Sequence, residues 1–180
     1  MKVKSKLMQE FEMSDLGNLS YFLGMKFKDS EEGVFLHQME YAQDILKRFK
    51  MRNCNEVVTL LKTGSKLKKE TNDEFVSSTL YKQIIGSLRY LCNTRPDICQ
   101  SVELLSRFME KPQECHLIAV KRVLRYIKGT IDHGVLLPKK SKNNSDVEVH
   151  GDTDSDFSGD QDTNKSTARY IFMIEGAPIS

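Results

Sequence analysis

The chain has 180 residues, enough for one ordinary core or two small ones. With 39% hydrophobic and 29% charged residues it has the composition of a folded protein rather than a disordered one. No apolar run approaches the roughly 18–20 residues of a membrane span, and MKVKSKLMQEFEM lacks the apolar centre of a secretory signal.

The four cysteines, Cys54, Cys92, Cys99 and Cys115, are irregularly spaced and form no Cys-x-x-Cys pair. They read as reduced thiols of an intracellular protein, not as zinc ligands or disulfides.

At the N-terminus, Val3, Leu7 and Phe11 recur at four-residue spacing and predict the end of a short helix. A β-hairpin follows, with strands over 21–28 and 34–37 and a turn near Glu32-Gly33. In MEYAQDILKRFKM, Ala42, Ile45, Leu46 and Phe49 share a helical face. Lys47, Arg48 and Lys50 cluster near its C-terminal end, where cations suit the helix dipole. Residues 53–78 are polar and aperiodic, a long connection. Leu80, Ile84, Leu88 and Leu91 predict the next helix, and Pro96 opens another, where its missing N–H is harmless. A third runs from about Gln113 to Lys128 and buries Leu117, Val120, Leu124 and Ile127. After Gly129, HGVLL, VEVHGDTD and ARYIFMI read as strands between polar turns. The expected class is α+β, a hairpin and helical part followed by a strand-rich part.

Charge is unevenly spread. Residues 111–142 carry eight Lys/Arg against Glu114 and Asp132, whereas residues 146–162 carry seven acids and no Lys/Arg. An anionic partner in one place and cations in the other would suit this pattern, and so would two solvated faces. The acidic stretch GDTDSDFSGDQD, residues 151–162, has three readings. Asp152, Asp154 and Asp156 match the opening of an EF-hand loop, but Phe157 and Thr163 stand where it needs Gly and a bidentate Glu. On a strand, His150, Asp152 and Asp154 share one face, and Val147, Val149 and Gly151 the other. A carboxylate at a strand end can hold Mg²⁺ beside a phosphate, although two-metal chemistry needs several converging from different segments. A solvated Asp/Ser/Gly turn is the third reading.

Six blocks, in order, carry a family resemblance: FEMSDLGNLSYFLGMKF, YAQDILKRFKM, LYKQIIGSLRYLCNTRPDI, LLSRFMEKP, AVKRVLRYIKGTIDHGVLL and GDTDSDFSGDQDTNKSTARYIFMIEGAPIS. Together, over residues 10–180, they resemble the polyprotein of copia-type LTR retrotransposons, in the stretch after the polymerase palm carboxylates. The resemblance implies that residues 1–130 are the C-terminal part of a reverse transcriptase, with a primer-grip-like hairpin, thumb and connection helices. It implies that residues 131–180 are a linker and the first strands of a truncated ribonuclease H-like domain.

By the same resemblance the Leu23-Gly24 step lets the grip backbone approach nucleic acid. Lys82, Gly86 and Tyr90 would track the minor groove of template–primer, with Gly86 and Tyr90 as plain helix-packing residues the equal alternative. Lys121, Arg122, Arg125 and Lys128 would line the path of the duplex towards ribonuclease H. Asp154 would be the first metal-binding ribonuclease H carboxylate, with Asp156 and Asp160 in the following turn.

Some positions depart from the pattern. Asp152 stands where an aromatic is usual, Phe157 replaces Trp, Ser158 replaces Ala, Leu60 replaces Pro and Arg169 replaces Gly. An extra carboxylate beside Asp154 adds like charge and would disturb its metal affinity. The family implies Mg²⁺ for the intact enzyme, with template–primer duplex or RNA–DNA hybrid and the rest of Pol as partners. The polymerase turn Tyr-x-Asp-Asp is not in this chain, which has no Asp-Asp pair. The expectation is therefore a fragment lacking either complete active site, inactive and metal-free alone. An adopted nucleic-acid-binding module and a non-functional translated relic are the alternatives.

Overall fold

The structure, a computed structural model, describes residues 2–14, 17, 19–61, 67–69, 71–139, 148–155, 166 and 168–178, with the side chains of Lys2 and Arg169 left aside. Its class is α+β. Helix α1 (Lys2–Glu10) keeps Val3, Leu7 and Met8 exposed. Strands β1 (Tyr21–Phe22) and β2 (Met25–Asp29) follow, then β3 (Gly33–His37).

The spacing predicts one strand over 21–28, but the chain reverses inside it. Leu23 and Gly24, with φ of 47° and 76°, make a two-residue turn that sets Phe22 opposite Met25. Two successive positive φ values match the twist of a hairpin. The turn expected at Glu32-Gly33 lies slightly earlier, because Gly33 already belongs to β3 and the Ser30 N–H donates to its carbonyl at 2.9 Å. Gly33 serves pairing instead, since a methyl there would run into the Leu137 carbonyl.

Helix α2 (Met39–Arg48) buries Ala42, Ile45 and Leu46 on the predicted face. It ends with the Met51 N–H on the Leu46 carbonyl at 2.7 Å and the Lys50 N–H on the Lys47 carbonyl at 3.1 Å. That is a Schellman ending, with Lys50 at φ 58° where glycine is usual. The polar connection then wraps the core, and Leu60, Leu61, Leu67 and Val76 pack partly buried against it.

Helix α3 (Ser78–Leu91) begins where the Ser77 hydroxyl accepts the Leu80 N–H at 3.3 Å. Its buried stripe is Tyr81, Ile84, Ile85, Leu88 and Leu91. Leu80, expected in that stripe, is 40% exposed. Tyr81 takes the inward position because its hydroxyl reaches the Leu105 carbonyl at 2.9 Å, which makes burial of the ring affordable.

Helix α4 (Pro96–Ser106) starts on Pro96, and α5 (Glu114–Gly129) buries Leu117, Val120, Leu124 and Ile127 as their spacing predicts. Each such side chain contributes about 1.5–3 kcal/mol by leaving water. A capping box opens α5. The Gln113 side chain accepts from the first turn, and His116 Nδ1 accepts the Gln113 N–H at 3.0 Å. His116 Nε2 lies 2.8 Å from the Lys68 carbonyl, so this buried ring is the neutral tautomer with its proton on Nε2.

Strand β4 (Val135–Pro138) returns across the whole helical part to pair with β3, giving one sheet ordered β1-β2-β3-β4. A second antiparallel sheet contains β5 (Val149–Ser155), β6 (Ala168–Ile174) and β7 (Ala177–Pro178). It meets the first sheet where β7 packs beside β4, with Ala177 buried.

Candidate nucleic-acid interface

Helix α3 and the β1–β2 turn are brought together by one residue. The Tyr90 hydroxyl donates to the Leu23 carbonyl, and a Cβ added at Gly24 would meet that same hydroxyl. Tyr41 supports the ring edge-on, with centroids 4.8 Å apart and planes at 82°. Gly86 sits one turn before Tyr90, exposed, with nothing within 4 Å of where a Cβ would stand. Lys82, one turn further back, is also exposed. The stripe thus runs from a tied tyrosine to an open glycine and an open cation. Tyr41 is the member that sequence reasoning missed; an isolated tyrosine two residues into a helix gives no signal of its partner.

The basic row on α5 divides. Lys121 is exposed. Arg122 donates through Nε to the Thr59 carbonyl at 3.1 Å and through Nη2 to its hydroxyl at 2.6 Å. Arg125 Nε donates to the Asn55 carbonyl at 2.6 Å, and Lys128 Nζ to the Cys54 carbonyl at 2.7 Å. These three cations hold the 54–59 segment down on α5 while still contributing positive field to that side of the molecule.

A second group unread in the sequence fixes the helices behind the stripe. Arg95, 2% exposed, grips both Asp97 oxygens at 2.9 and 2.7 Å. Its other donors reach the Thr130 carbonyl at 2.8 Å and hydroxyl at 2.7 Å. Tyr126 donates to Asp97 at 3.0 Å and lies under the guanidinium. The start of α4 is thereby locked to the end of α5. Burial pushes the Asp97 carboxyl up, but the Arg95 pair and the Tyr126 hydroxyl outweigh it and hold the group below the ordinary carboxylate range. The Arg-Pro-Asp triplet, with its acid in the first turn of a helix, was the available signal.

Residues 1–63 match the family model described as reverse transcriptase (RNA-dependent DNA polymerase). The retrovirus-related Pol polyprotein from transposon RE1 of Arabidopsis thaliana is 40% identical over 174 residues, which is 97% of this chain and 12% of that one. The polyprotein from transposon TNT 1-94 of Nicotiana tabacum is 36% identical over 99% of this chain and 14% of its own length. An uncharacterized mitochondrial protein of Arabidopsis thaliana is 37% identical over 94% of this chain and 68% of its own.

The chain belongs to the copia-type retrotransposon Pol family.

It spans only 12–14% of the two Pol polyproteins. No solved structure matches it. No helix among the described residues is long and apolar enough to cross a membrane. None of the four cysteines is in a disulfide.

Reverse transcriptases of this kind generally use Mg²⁺, and Asp154 is the residue to test for it. Strand β5 sets Asp154 opposite Arg169 and Asp152 opposite Ile171. His150, Asp152 and Asp154 therefore alternate along one face, each about 6.6–6.8 Å from the next in Cα position. Carboxylates two apart on one strand can reach a common ion, but two-metal phosphoryl chemistry needs further carboxylates converging from other segments. Among the described residues, no group of three or more His, Cys, Asp or Glu could hold a metal. Two aspartates of one strand supply only part of a site, and no chemistry is routed through the ion. Asp156, Phe157, Ser158 and Asp160 lie outside the described residues.

Proposed function

We propose that this portion of a copia-type Pol protein holds template–primer duplex and does not itself polymerise DNA or cleave RNA. In this reading α3 is the thumb helix, its Lys82–Gly86–Tyr90 stripe follows the duplex, and the β1–β2 turn is the primer grip. The observation that carries it is the Tyr90–Leu23 hydrogen bond, which supports a common purpose for a turn and a helix 67 residues apart. Gly86 supports it further, because an exposed glycine inside a helix costs about 1 kcal/mol and here meets no protein neighbour that would require it. Close approach of a sugar–phosphate backbone would explain the missing side chain. Lys121, Arg122, Arg125 and Lys128 would extend the cationic side, and the strands from β5 onward would open the ribonuclease H-like part. The absence of an Asp-Asp pair from the sequence supports the lack of turnover.

The test is fluorescence anisotropy with an RNA–DNA duplex over a salt series. Affinity should fall steeply with salt, and Lys82→Ala should reduce the log–log slope by about 0.7–0.9, one phosphate contact. An unchanged slope and affinity would remove α3 from the nucleic-acid face. Primer extension or hybrid cleavage that disappears in Asp154→Asn would overturn the claim of inactivity.

A further inference from the structure

A groove opens on the side of α3 away from Lys82, Gly86 and Tyr90. Leu80 and Ile84 face it, each two residues, or about 200° of helix rotation, from the members of that stripe. Its volume is about 270 Å³. That is less than the roughly 300–1,000 Å³ that encloses a drug-sized ligand, so it suits inserted side chains whose main chain stays outside. The buried Leu117 and Leu124 of α5 form an apolar floor, and Met51 and the 40% exposed Leu80 also line the groove. Around it stand Arg48, Lys50 and Lys121, all exposed, and among the described residues no carboxylate lines it.

Lys50 adds a second observation. It holds the left-handed residue of the Schellman ending, at φ 58°. Glycine would take that conformation freely, whereas a side chain there costs about 1 kcal/mol. The strain keeps an ammonium group at the rim of the groove.

We propose that this groove docks an acidic amphipathic peptide segment of another protein. Leucine-sized side chains enter between Leu80 and the α5 floor, and flanking carboxylates meet Arg48, Lys50 and Lys121. A nucleic-acid strand would match the cations but leave Leu80, Met51 and the leucine floor against phosphate and sugar, so the apolar lining favours a peptide. Lys121 is shared with the row proposed for the duplex, but Leu80 and Ile84 lie on the other side of α3 from Lys82, Gly86 and Tyr90, so Leu80→Asp tests this groove separately from that reading.

The probe is a fluorescein-labelled helical peptide with leucines at i and i+4 flanked by glutamates. Its controls are the same peptide with glutamines and a single-stranded oligonucleotide of similar length. Anisotropy against the full chain should show binding of the glutamate peptide, about tenfold weaker binding of the glutamine peptide, and loss with either Lys121→Glu or Leu80→Asp. Lys50→Gly should raise the melting temperature while weakening the peptide several-fold, which a merely structural lysine would not do. Equal binding of both peptides, no saturable binding, or displacement of the peptide by the oligonucleotide at matched concentration would each overturn the proposal.

Discussion

The Tyr90 hydroxyl of α3 donates to the carbonyl of Leu23, at the apex of the β1–β2 turn. Leu23 and Gly24 both hold positive φ, a conformation that leucine enters at a cost. The turn therefore does not hold its shape by local preference alone; it borrows rigidity from a helix whose own position is fixed by Tyr81, Ile84, Ile85 and Leu88 in the core. The turn's placement is set by helix packing as well as by the strands that flank it.

A double-mutant cycle measures that dependence. Gly24→Ala places a methyl at positive φ, costing about 1–2 kcal/mol, and drives it into the Tyr90 hydroxyl. Tyr90→Phe removes one hydrogen bond, about 0.5–1.5 kcal/mol, and also the atom the methyl meets. Urea denaturation should find the double variant more stable than the two losses summed, by at least about 0.5 kcal/mol. Strict additivity would mean that the hydroxyl and the turn do not touch in solution.

Gly86→Ala separates stability from binding. With nothing within 4 Å of the new methyl, the helix should gain up to about 1 kcal/mol. If the stripe follows a duplex, affinity for RNA–DNA should fall at the same time. A melting temperature and an anisotropy titration on one protein read both effects. Stabilisation with unaltered affinity would leave the glycine without a nucleic-acid role.

The sequence disclosed what periodicity can carry and withheld what depends on partners far along the chain. Leu117, Val120, Leu124 and Ile127 are buried as their spacing predicts, since an amphipathic helix needs only a core to face. Leu80 shares that periodicity yet lies outside, because the Leu105 carbonyl makes Tyr81 the better inward residue. The turn at Leu23-Gly24 was invisible because no Asn-Gly or Asp-Gly signal marks it. The pairing of β4 with β3 joins residues about a hundred positions apart, which no local pattern encodes. At the candidate interface, the order of Lys82, Gly86 and Tyr90 was legible, but the union of Tyr90 with the turn was not. The basic row was legible as charge, and its carbonyl partners were not.

The Arg95–Asp97 pair should make the fold acid-sensitive. Asp97 is held below its ordinary pKa, so its contribution is fully present above the unfolded value of about 3.9 and is lost as pH falls through the lower folded value. At neutral pH, Asp97→Asn leaves the buried Arg95 charge with no carboxylate, only a neutral amide oxygen, Thr130 and the Tyr126 ring beside it. The cost should lie near the low end of about 3–5 kcal/mol. Thermal melts from pH 7 to pH 3 should show the wild-type advantage narrowing below about pH 4. A gap that stays constant with pH would mean that the carboxylate charge is not what holds the helix ends together.

Arg125 offers two roles that one variant can tell apart. Its Nε donor is spent on the Asn55 carbonyl, between the Lys128–Cys54 and Arg122–Thr59 contacts. Replacing it by methionine keeps the stem packed and removes the central clasp, which should cost about 1 kcal/mol. Amide exchange over residues 54–59 should speed up, because those carbonyls are what tether the segment to α5. A residue serving only the duplex would instead leave exchange unchanged and lower the salt slope of RNA–DNA binding by about 0.7–0.9. The hydrogen bonds favour the first result with a smaller change in slope, since a guanidinium already oriented by a backbone carbonyl has fewer donors to offer a phosphate. Faster exchange together with a full loss of one phosphate contact would show that the clasp itself positions the cation for nucleic acid.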